Sequence, residues 1–444
     1  MSYPEVISYL ESFINYEKIP SYSYRESITL ERIKGFLSAI DNPQDSLRCL
    51  HIAGTKGKGS SCAFIAYILR ESGYRVGLYT SPHLSDFRER IRVLNPGNKN
   101  KDTVSDFEGL ITQEELNRLT GKLKPAIDRY NKNSEYGPLS FFEVYTALAF
   151  AYFKEKEVDF AVLETGLGGR FDATNVVNPL ICAITPISYE HTQKLGNTLK
   201  EISGEKAGII KSSCAIVITA PQEKEALRVL SDKCASVSAK LFKVGEDITY
   251  QNINDSFKVK GIIGEYADLK IKLIGAHQLA NAVLAIGAIE LLHFCNVNIG
   301  PDAIRRGLYN TLWPGRCEII SKDPLFVLDG AQNIASAKAL KETIREYFKY
   351  KKLILVLGVS SDKDKSGICG QFSRLADEVI LTKADNPRAT DPQNLTGYFS
   401  RKNTHITMSV KEAKGLARRL AEKEDLVLVT GSLFVVGEFR DDKK

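Results

Sequence analysis

The stretch SLRCLHIAGTKGKGSSCAFIAYILRESG, residues 46–73, carries three local patterns in succession. The apolar run through Leu50 and Ile52 reads as a strand, the glycine and lysine run as a tight turn, and CAFIAYILRES (62–72) as an apolar-faced helix ending at Gly73. Strand, glycine-rich turn and helix make a βα unit whose turn faces the helix N-terminus. In Gly54-Thr55-Lys56-Gly57-Lys58-Gly59-Ser60 the glycines let the backbone wrap phosphates. Successive N–H groups and the helix N-terminus supply partial positive charge, and Lys58 places an ammonium on the outer phosphates. The pattern is that of a nucleotide-triphosphate loop, with the departure that Gly59 separates Lys58 from the hydroxyl of Ser60.

Working outward, the N-terminal residues read as a helix over 4–16 and a Tyr/Ser-rich loop, then an amphipathic helix over 28–40. Further short apolar runs at 75–79, 160–163, 181–187 and 216–219 alternate with helical stretches at 141–156 and 198–210. Such alternation implies an α/β fold, a doubly wound and mostly parallel sheet with helices on both faces and ligands at the carboxyl ends of its strands. Residues 240–274 read as short β segments, and a helix over 277–295 closes this part. After Trp313-Pro314-Gly315 the alternation restarts, with strands at 325–328, 353–357, 379–382 and 426–429 and a helix at 335–348. The expectation is a phosphate-loop domain over 1–312 and a smaller, Rossmann-like α/β domain over 313–444, since single cores stop growing at roughly 250–300 residues.

The bulk numbers exclude several classes. Of 444 residues, 43% are hydrophobic and 26% charged, the balance of a water-soluble chain. No apolar run approaching the ~18 residues of a membrane span is evident. The N-terminus MSYPEVISYLESF lacks a basic start and a small-residue cleavage site, so no signal peptide is read and a cytoplasmic location is expected. Eight cysteines are scattered without a CxxC pair, which argues against a zinc or redox motif. A net charge of +6 with no Lys/Arg block gives no basis for nucleic-acid binding. The expected partners are small molecules, with no membrane and no nucleic acid.

A triphosphate needs a divalent cation, which directs attention to carboxylates and hydroxyls at strand ends. Glu164 follows the apolar run 160–163, His191 follows the run 181–187, and Ser81 follows the run ending at Tyr79. On a doubly wound sheet all three would lie near the phosphates. These residues alone imply an ATP-dependent, magnesium-using enzyme of two domains and leave a kinase, a motor-like ATPase and a ligase open.

Nine spaced blocks go further: GTKGKGS (54–60), YTSPHLSDFRERIRV (79–93), LSFFEV (139–144), ETGLGGRFDATN (164–175), EHTQKLGNTLKEISGEKAGIIK (190–211), GAHQLANA (275–282), WPGR (313–316), DGAQN (329–333) and TGSLF (430–434). Together they resemble the folylpolyglutamate synthase/dihydrofolate synthase branch of the Mur ligase family, in family order across nearly the whole chain. The resemblance implies an ATP-dependent amide ligase acting through an acyl phosphate, on L-glutamate and a folate or dihydropteroate carboxylate. By motif position it implies that Gly54, Thr55, Gly57, Lys58, Gly59 and Ser60 hold phosphate, that Asn281 contacts adenine, and that Arg316 and Asp329 complete the ATP site. Ser81, Glu164 and His191 match magnesium ligands, and Lys206 matches a lysine carried as a carbamate, a further metal ligand. Lys58, His191, Lys206 and Gln332 fall at catalytic positions. Ser140, Phe141, Phe142 and Glu143, with Phe171, Asp172 and Ala173, fall on the pterin side, and Ser432 at a further substrate position. A monomer is expected.

Several positions depart from the family pattern. Lys56 stands where Asn is usual, adding a second positive charge beside the phosphates, and Glu190 precedes His191 where Asp is usual. In DGAQNI the family's His is Gln332 and its Pro is Ile334, and Gln donates a hydrogen bond without carrying a proton. The segment SITLERI (27–33) replaces DLGLER.

Overall fold

The computed structural model describes residues 1–19, 22–97, 107–214, 216–253 and 255–441. Pro20 and Ser21 of the expected Tyr/Ser-rich loop, and Asn254 of the expected β segments, lie outside the described residues. The chain divides into two compact units. Unit 1 comprises Met1–His83, Phe87–Lys272 and Leu279–Leu312, and unit 2 comprises Leu84–Asp86, Leu273–Gln278 and Trp313–Lys444.

Unit 1 is built on a seven-stranded sheet of β1 (Cys49–Ala53), β2 (Val76–Tyr79), β3 (Ile91–Leu94), β4 (Phe160–Glu164), β5 (Pro179–Ile184), β6 (Ile216–Thr219) and β7 (Lys240–Lys243). The order is β3-β2-β4-β1-β5-β6-β7, parallel throughout except for the β2–β3 pair. Every residue of β1, β2, β4 and β6 is buried, because helices cover both faces, and this is why those strands read as continuous apolar runs. In β1, the central strand, Ile52 pairs with Glu164 and Ala53 with Ile184, so three strand ends meet where β1 gives way to the glycine-rich turn. The helix expected over 62–72 spans Lys58–Glu71, starting directly on the turn, and the stretch 141–156 is the helix Phe141–Glu155. The N-terminal helix is shorter than expected, Tyr3–Glu11, and the second is Leu30–Ser38 with Thr29 as its cap.

The helix Ala276–Leu291 and the turn Leu292–Cys295 match the stretch 277–295, though its first residues belong to unit 2 and Pro301–Asn310 follows as a further helix of unit 1. By length and composition Ala276–Cys295 would suffice to cross a membrane, contrary to the reading that no such run exists, but most of it is buried inside the protein. Its middle, residues 281–292, is buried on every side, which is why that part is mostly apolar. A three-stranded antiparallel sheet of β8 (Thr249–Ile253), β9 (Ser256–Lys260) and β10 (Glu265–Leu269) lies in the order β10-β9-β8. The Glu290 carboxylate anchors it, accepting from the Ile262 and Gly264 amides and the Tyr266 hydroxyl at 2.7, 2.8 and 2.9 Å.

Unit 2 holds a six-stranded sheet of β11 (Glu318–Lys322), β12 (Leu325–Leu328), β13 (Leu353–Leu357), β14 (Glu378–Leu381), β15 (Asn403–Ile406) and β16 (Leu426–Thr430), in the order β11-β12-β16-β13-β14-β15. Only β11–β12 is antiparallel. The last strand lies between β12 and β13, which opens a crevice at the carboxyl ends of the neighbouring strands.

Candidate functional site

The turn after β1 is shaped by two glycines that no other residue could replace. Gly54 has φ +145°, and a Cβ there would fall 1.9 Å from Thr185 Oγ1; Gly57 has φ +81°, and its Cβ would fall 2.2 Å from Asn281 Oδ1. Gly57 caps the helix Lys58–Glu71, whose own first turn contains no acidic residue, so the N–H end and Lys58 both present positive character there. Ser60 is buried in that first turn and Asn281 lies against Gly57, so the structure brings together Gly57, Lys58, Gly59, Ser60 and Asn281.

Thr55 has a different place from the one its motif suggests. Its hydroxyl donates to Ser188 O at 3.2 Å and accepts from Ser188 N at 3.1 Å. Its amide and that of Lys56 both donate to Pro186 O, at 3.0 and 3.3 Å. The turn is thereby fastened to segment 185–191, which ends at His191 in a left-handed conformation with φ +53°. Lys56 Nζ adds an ion pair to Glu190 Oε2 at 3.0 Å.

Glu164, at the end of β4, is buried and accepts from Ser81 N at 3.1 Å. Burial, reinforced by the Glu164 charge, holds the Cys62 thiol well above its ordinary range, which places the carboxylate beside the first turn of the phosphate-loop helix. Lys206 closes the base of the loop: its Nζ donates to Gly54 O at 2.7 Å and is buried. Burial foremost, then the Lys58 charge, pulls its pKa down to about 7 from 10.5, with Glu190 opposing and Lys56 assisting. An ammonium at this position is therefore close to giving up its proton at neutral pH.

Among the described residues no three His, Cys, Asp or Glu side chains converge to hold a metal. Magnesium does not require such a cage, since one or two carboxylates with phosphate oxygens and waters complete its shell. Ser81 and Glu164 fit that donor chemistry.

The pterin-side residues divide into those that face outward and those that build the site. Ser140 and Glu143 form a capping box for the helix Phe141–Glu155, with Ser140 N donating to Glu143 Oε2 at 2.7 Å. The Glu143 carboxylate also takes Arg32 Nε on both oxygens at 2.9 Å, inside the protein. Phe141 is in the core, its ring against Tyr145 at 4.9 Å and Phe87 at 5.8 Å, whereas Phe142 is half-buried and covers Gly166. Phe171 is likewise half-buried, edge-on to Tyr24 at 6.1 Å, while Ala173 is buried.

Asp172 points inward. Its carboxylate accepts from the amides of Gly166 (2.8 Å), Leu167 (3.0 Å) and Thr174 (3.0 Å) and from the Thr174 hydroxyl (2.5 Å). Burial raises its pKa against those bonds. Since the Thr174 proton goes to Asp172, the hydroxyl accepts from His51 Nε2 at 2.8 Å. His51 is thus neutral with its proton on Nε2, and burial drives its pKa down to about 3. This bridge from β1 to the loop at 166–175, the Arg32–Glu143 pair and the Pro186/Ser188 fastening were missed by sequence reasoning. The Asp-x-Thr spacing at 172–174 was a signal available for part of it.

In unit 2, Asp329 follows β12 and is buried, accepting from Cys317 N and Ala331 N, both at 2.9 Å. Burial raises its pKa, opposed by Arg316 and then His277. Arg316 lies against Gly330, where a Cβ would fall 2.6 Å from its Nη1. The Gln332 amide donates to Ser336 Oγ at 3.2 Å, one turn before the helix Ile334–Tyr347 is established. Ser432 is buried as the cap of the helix Leu433–Arg440, and it lines a small depression with Gly358, Ser360, Lys383, Asn386 and Val435 at the carboxyl ends of β13, β14 and β16.

Residues 131–289 match the profile of the Mur ligase middle domain, and residues 315–433 that of the Mur ligase glutamate ligase domain. The chain is 35% identical over 427 residues to a dihydrofolate synthase/folylpolyglutamate synthase of Bacillus subtilis, covering 93% of this chain and 94% of that protein. It is 30% identical over 447 residues to a folylpolyglutamate synthase of Lacticaseibacillus casei, covering 99% and 98%. Among solved structures, a Mycobacterium tuberculosis folylpolyglutamate synthase complexed with ADP superposes with TM-score 0.87 at 29% identity, over 100% of this chain and 99% of that one. Escherichia coli FolC in complex with DHPP and ADP superposes with TM-score 0.84 at 28% identity, over 98% and 96%.

Proposed function

The chain belongs to the folylpolyglutamate synthase/dihydrofolate synthase family of Mur ligases and is an ATP-dependent ligase, and from that premise we propose that it joins L-glutamate to the carboxylate of a folate or of dihydropteroate. A carboxylate oxygen of the acceptor attacks the γ-phosphorus of ATP and ADP leaves. The amino group of glutamate then attacks the acyl carbon, loses a proton, and inorganic phosphate departs as the amide forms.

The observation that carries this reading is the phosphate turn of unit 1: a glycine-shaped loop on a helix N-terminus with Lys58 at its start and the low-pKa Lys206 beneath it. Catalysis of this kind is positioning and electrostatic stabilisation of charge on the transferring phosphoryl group. Gly57, Lys58, Gly59 and Ser60 hold phosphate oxygens, Asn281 holds the nucleotide beside the loop, and Arg316 and Asp329 are nucleotide-binding groups of unit 2. Magnesium, when bound, supplies charge neutralisation on the triphosphate. Ser81, Glu164 and His191 would hold it, together with Lys206 as a carbamate. A neutral, buried amine is the form that takes up carbon dioxide, and burial has already moved Lys206 to the edge of neutrality. As a carbamate it exchanges a costly buried cation for an anion.

The half-buried rings of Phe142 and Phe171 suit a flat heterocycle, with Asp172, Ala173, Ser140 and Glu143 shaping the wall on which it rests. Ser432 and Lys383, side by side at the carboxyl ends of the unit 2 strands, offer a hydroxyl and an ammonium for a carboxylate, so glutamate is assigned there. Gln332 supplies a hydrogen-bond donor, and the chemistry does not pass a proton through it. The ligase acts as a monomer, which sedimentation of the purified chain checks. The function is tested by feeding glutamate with dihydropteroate or tetrahydrofolate and Mg-ATP and looking for the new amide by mass spectrometry. No mass increase with either acceptor would refute it.

A further inference from the structure

Two of the positions at which the sequence departs from its family pattern, Lys56 and Glu190, are partners. Their side chains meet at 3.0 Å, Lys56 from the phosphate turn and Glu190 from the residue before His191. The backbone around them constrains what Lys56 can offer a nucleotide. The amides of Thr55 and Lys56 already donate to Pro186 O, and the Thr55 hydroxyl is engaged by Ser188, so neither amide is turned toward a phosphate. Lys56 is left with its side chain. Lys56 stands two residues before Lys58 in the same turn, and buried Lys206 reaches that turn from the other side, its Nζ donating to Gly54 O at 2.7 Å. Lys56, Lys58 and Lys206 thus share one electrostatic neighbourhood, and Glu190 is the carboxylate that holds one of the three.

A triphosphate carries far more negative charge than one carboxylate, and it would compete with Glu190 for Lys56. We propose that Lys56 is a second phosphate-binding cation of this ligase, held by Glu190 before nucleotide arrives and transferred to the phosphates on binding. This rests on the placement of phosphates at the Gly54–Ser60 turn. Glu190 keeps the extra charge from being left uncompensated beside Lys58 and Lys206 in the empty site, and part of the binding free energy goes into breaking the pair.

The two side chains then have opposite effects on affinity, which a purely structural pair would not. Calorimetric titration with AMPPCP in the presence of magnesium should show that Lys56→Gln weakens binding about tenfold, the size of one charge-assisted hydrogen bond. Glu190→Gln should tighten it roughly threefold, since a mostly buried ion pair no longer competes for the ammonium. If the pair only props segment 186–191, both substitutions weaken binding, and that result overturns the proposal. Lys58→Ala is the control. If it weakens binding while Lys56→Gln changes nothing, the phosphates are correctly placed and Lys56 has no part in holding them. If Lys58→Ala itself leaves affinity unchanged, the phosphate placement falls and the proposal with it. Thermal melting of each variant verifies that the fold is retained.

Discussion

Lys206 gives the sharpest prediction because its environment changes its chemistry by a computable factor. A lysine of pKa 10.5 is neutral in about one molecule in three thousand at pH 7, whereas at a pKa of about 7 it is neutral in about half. The pool of amine able to take up carbon dioxide at neutral pH is therefore larger by about three orders of magnitude than for a surface lysine. Protein equilibrated with ¹³C-bicarbonate at pH 8 should show one carbamate carbon by NMR, lost in Lys206→Met and depleted at pH 6, where about nine-tenths of the amine is protonated. The same shift bears on stability. The folded pKa lies below the unfolded one, so between about pH 7 and 10.5 the unfolded chain binds more protons. In carbonate-free buffer, stability should rise with pH through that window by up to roughly 5 kcal/mol, with the full burial penalty present below about pH 7, and Lys206→Met should flatten the slope. A carbamate signal that survives in Lys206→Met, or none at pH 8, would refute the reasoning.

Three further outcomes are expected. Lys58→Ala should lower ligation by about 10²–10³-fold without altering the melting temperature, since it removes charge stabilisation and no core contact; coupled ADP release and a thermal melt check both halves. Arg32→Met should cost about 3–5 kcal/mol in urea unfolding, because it leaves the buried Glu143 carboxylate without the guanidinium whose Nε both its oxygens accept from, and adding Glu143→Gln should recover most of the loss. Lys383→Met should raise the KM for glutamate about tenfold while leaving AMPPCP affinity unchanged, measured by initial rates and calorimetry.

Most of the parallel strands were legible because burial on both faces turns a strand into an unbroken apolar run, as at Leu353–Leu357 and Phe160–Glu164. The strands that escaped are edge or near-edge ones. Ile91–Leu94 interleaves Arg92 with apolar residues, Asn403–Ile406 has no core face, and Glu318–Lys322 is largely exposed. The helix Gln113–Asn133 was hidden by its charge and by Pro125, although Thr112 and Glu115 mark its start as a capping box. The glycine-rich turn between β1 and the helix Lys58–Glu71 was readable because an apolar strand precedes it and an apolar-faced helix follows. What the sequence could not tell is which polar residues serve the frame of the site. Asp172 and Thr55 sit in conspicuous motifs, yet the structure spends their hydrogen bonds on Gly166, Leu167, Thr174 and Ser188. His51 is one residue in an apolar strand, and its role depends on Thr174, 123 positions away.

The most direct test of the ligase assignment is to measure ADP and amide together in one reaction of purified protein, Mg-ATP, glutamate and either dihydropteroate or tetrahydrofolate. The account predicts one ADP for each amide formed, with neither product when acceptor or glutamate is withheld. ADP release that ignores the acceptor, or no amide from either acceptor, would contradict it.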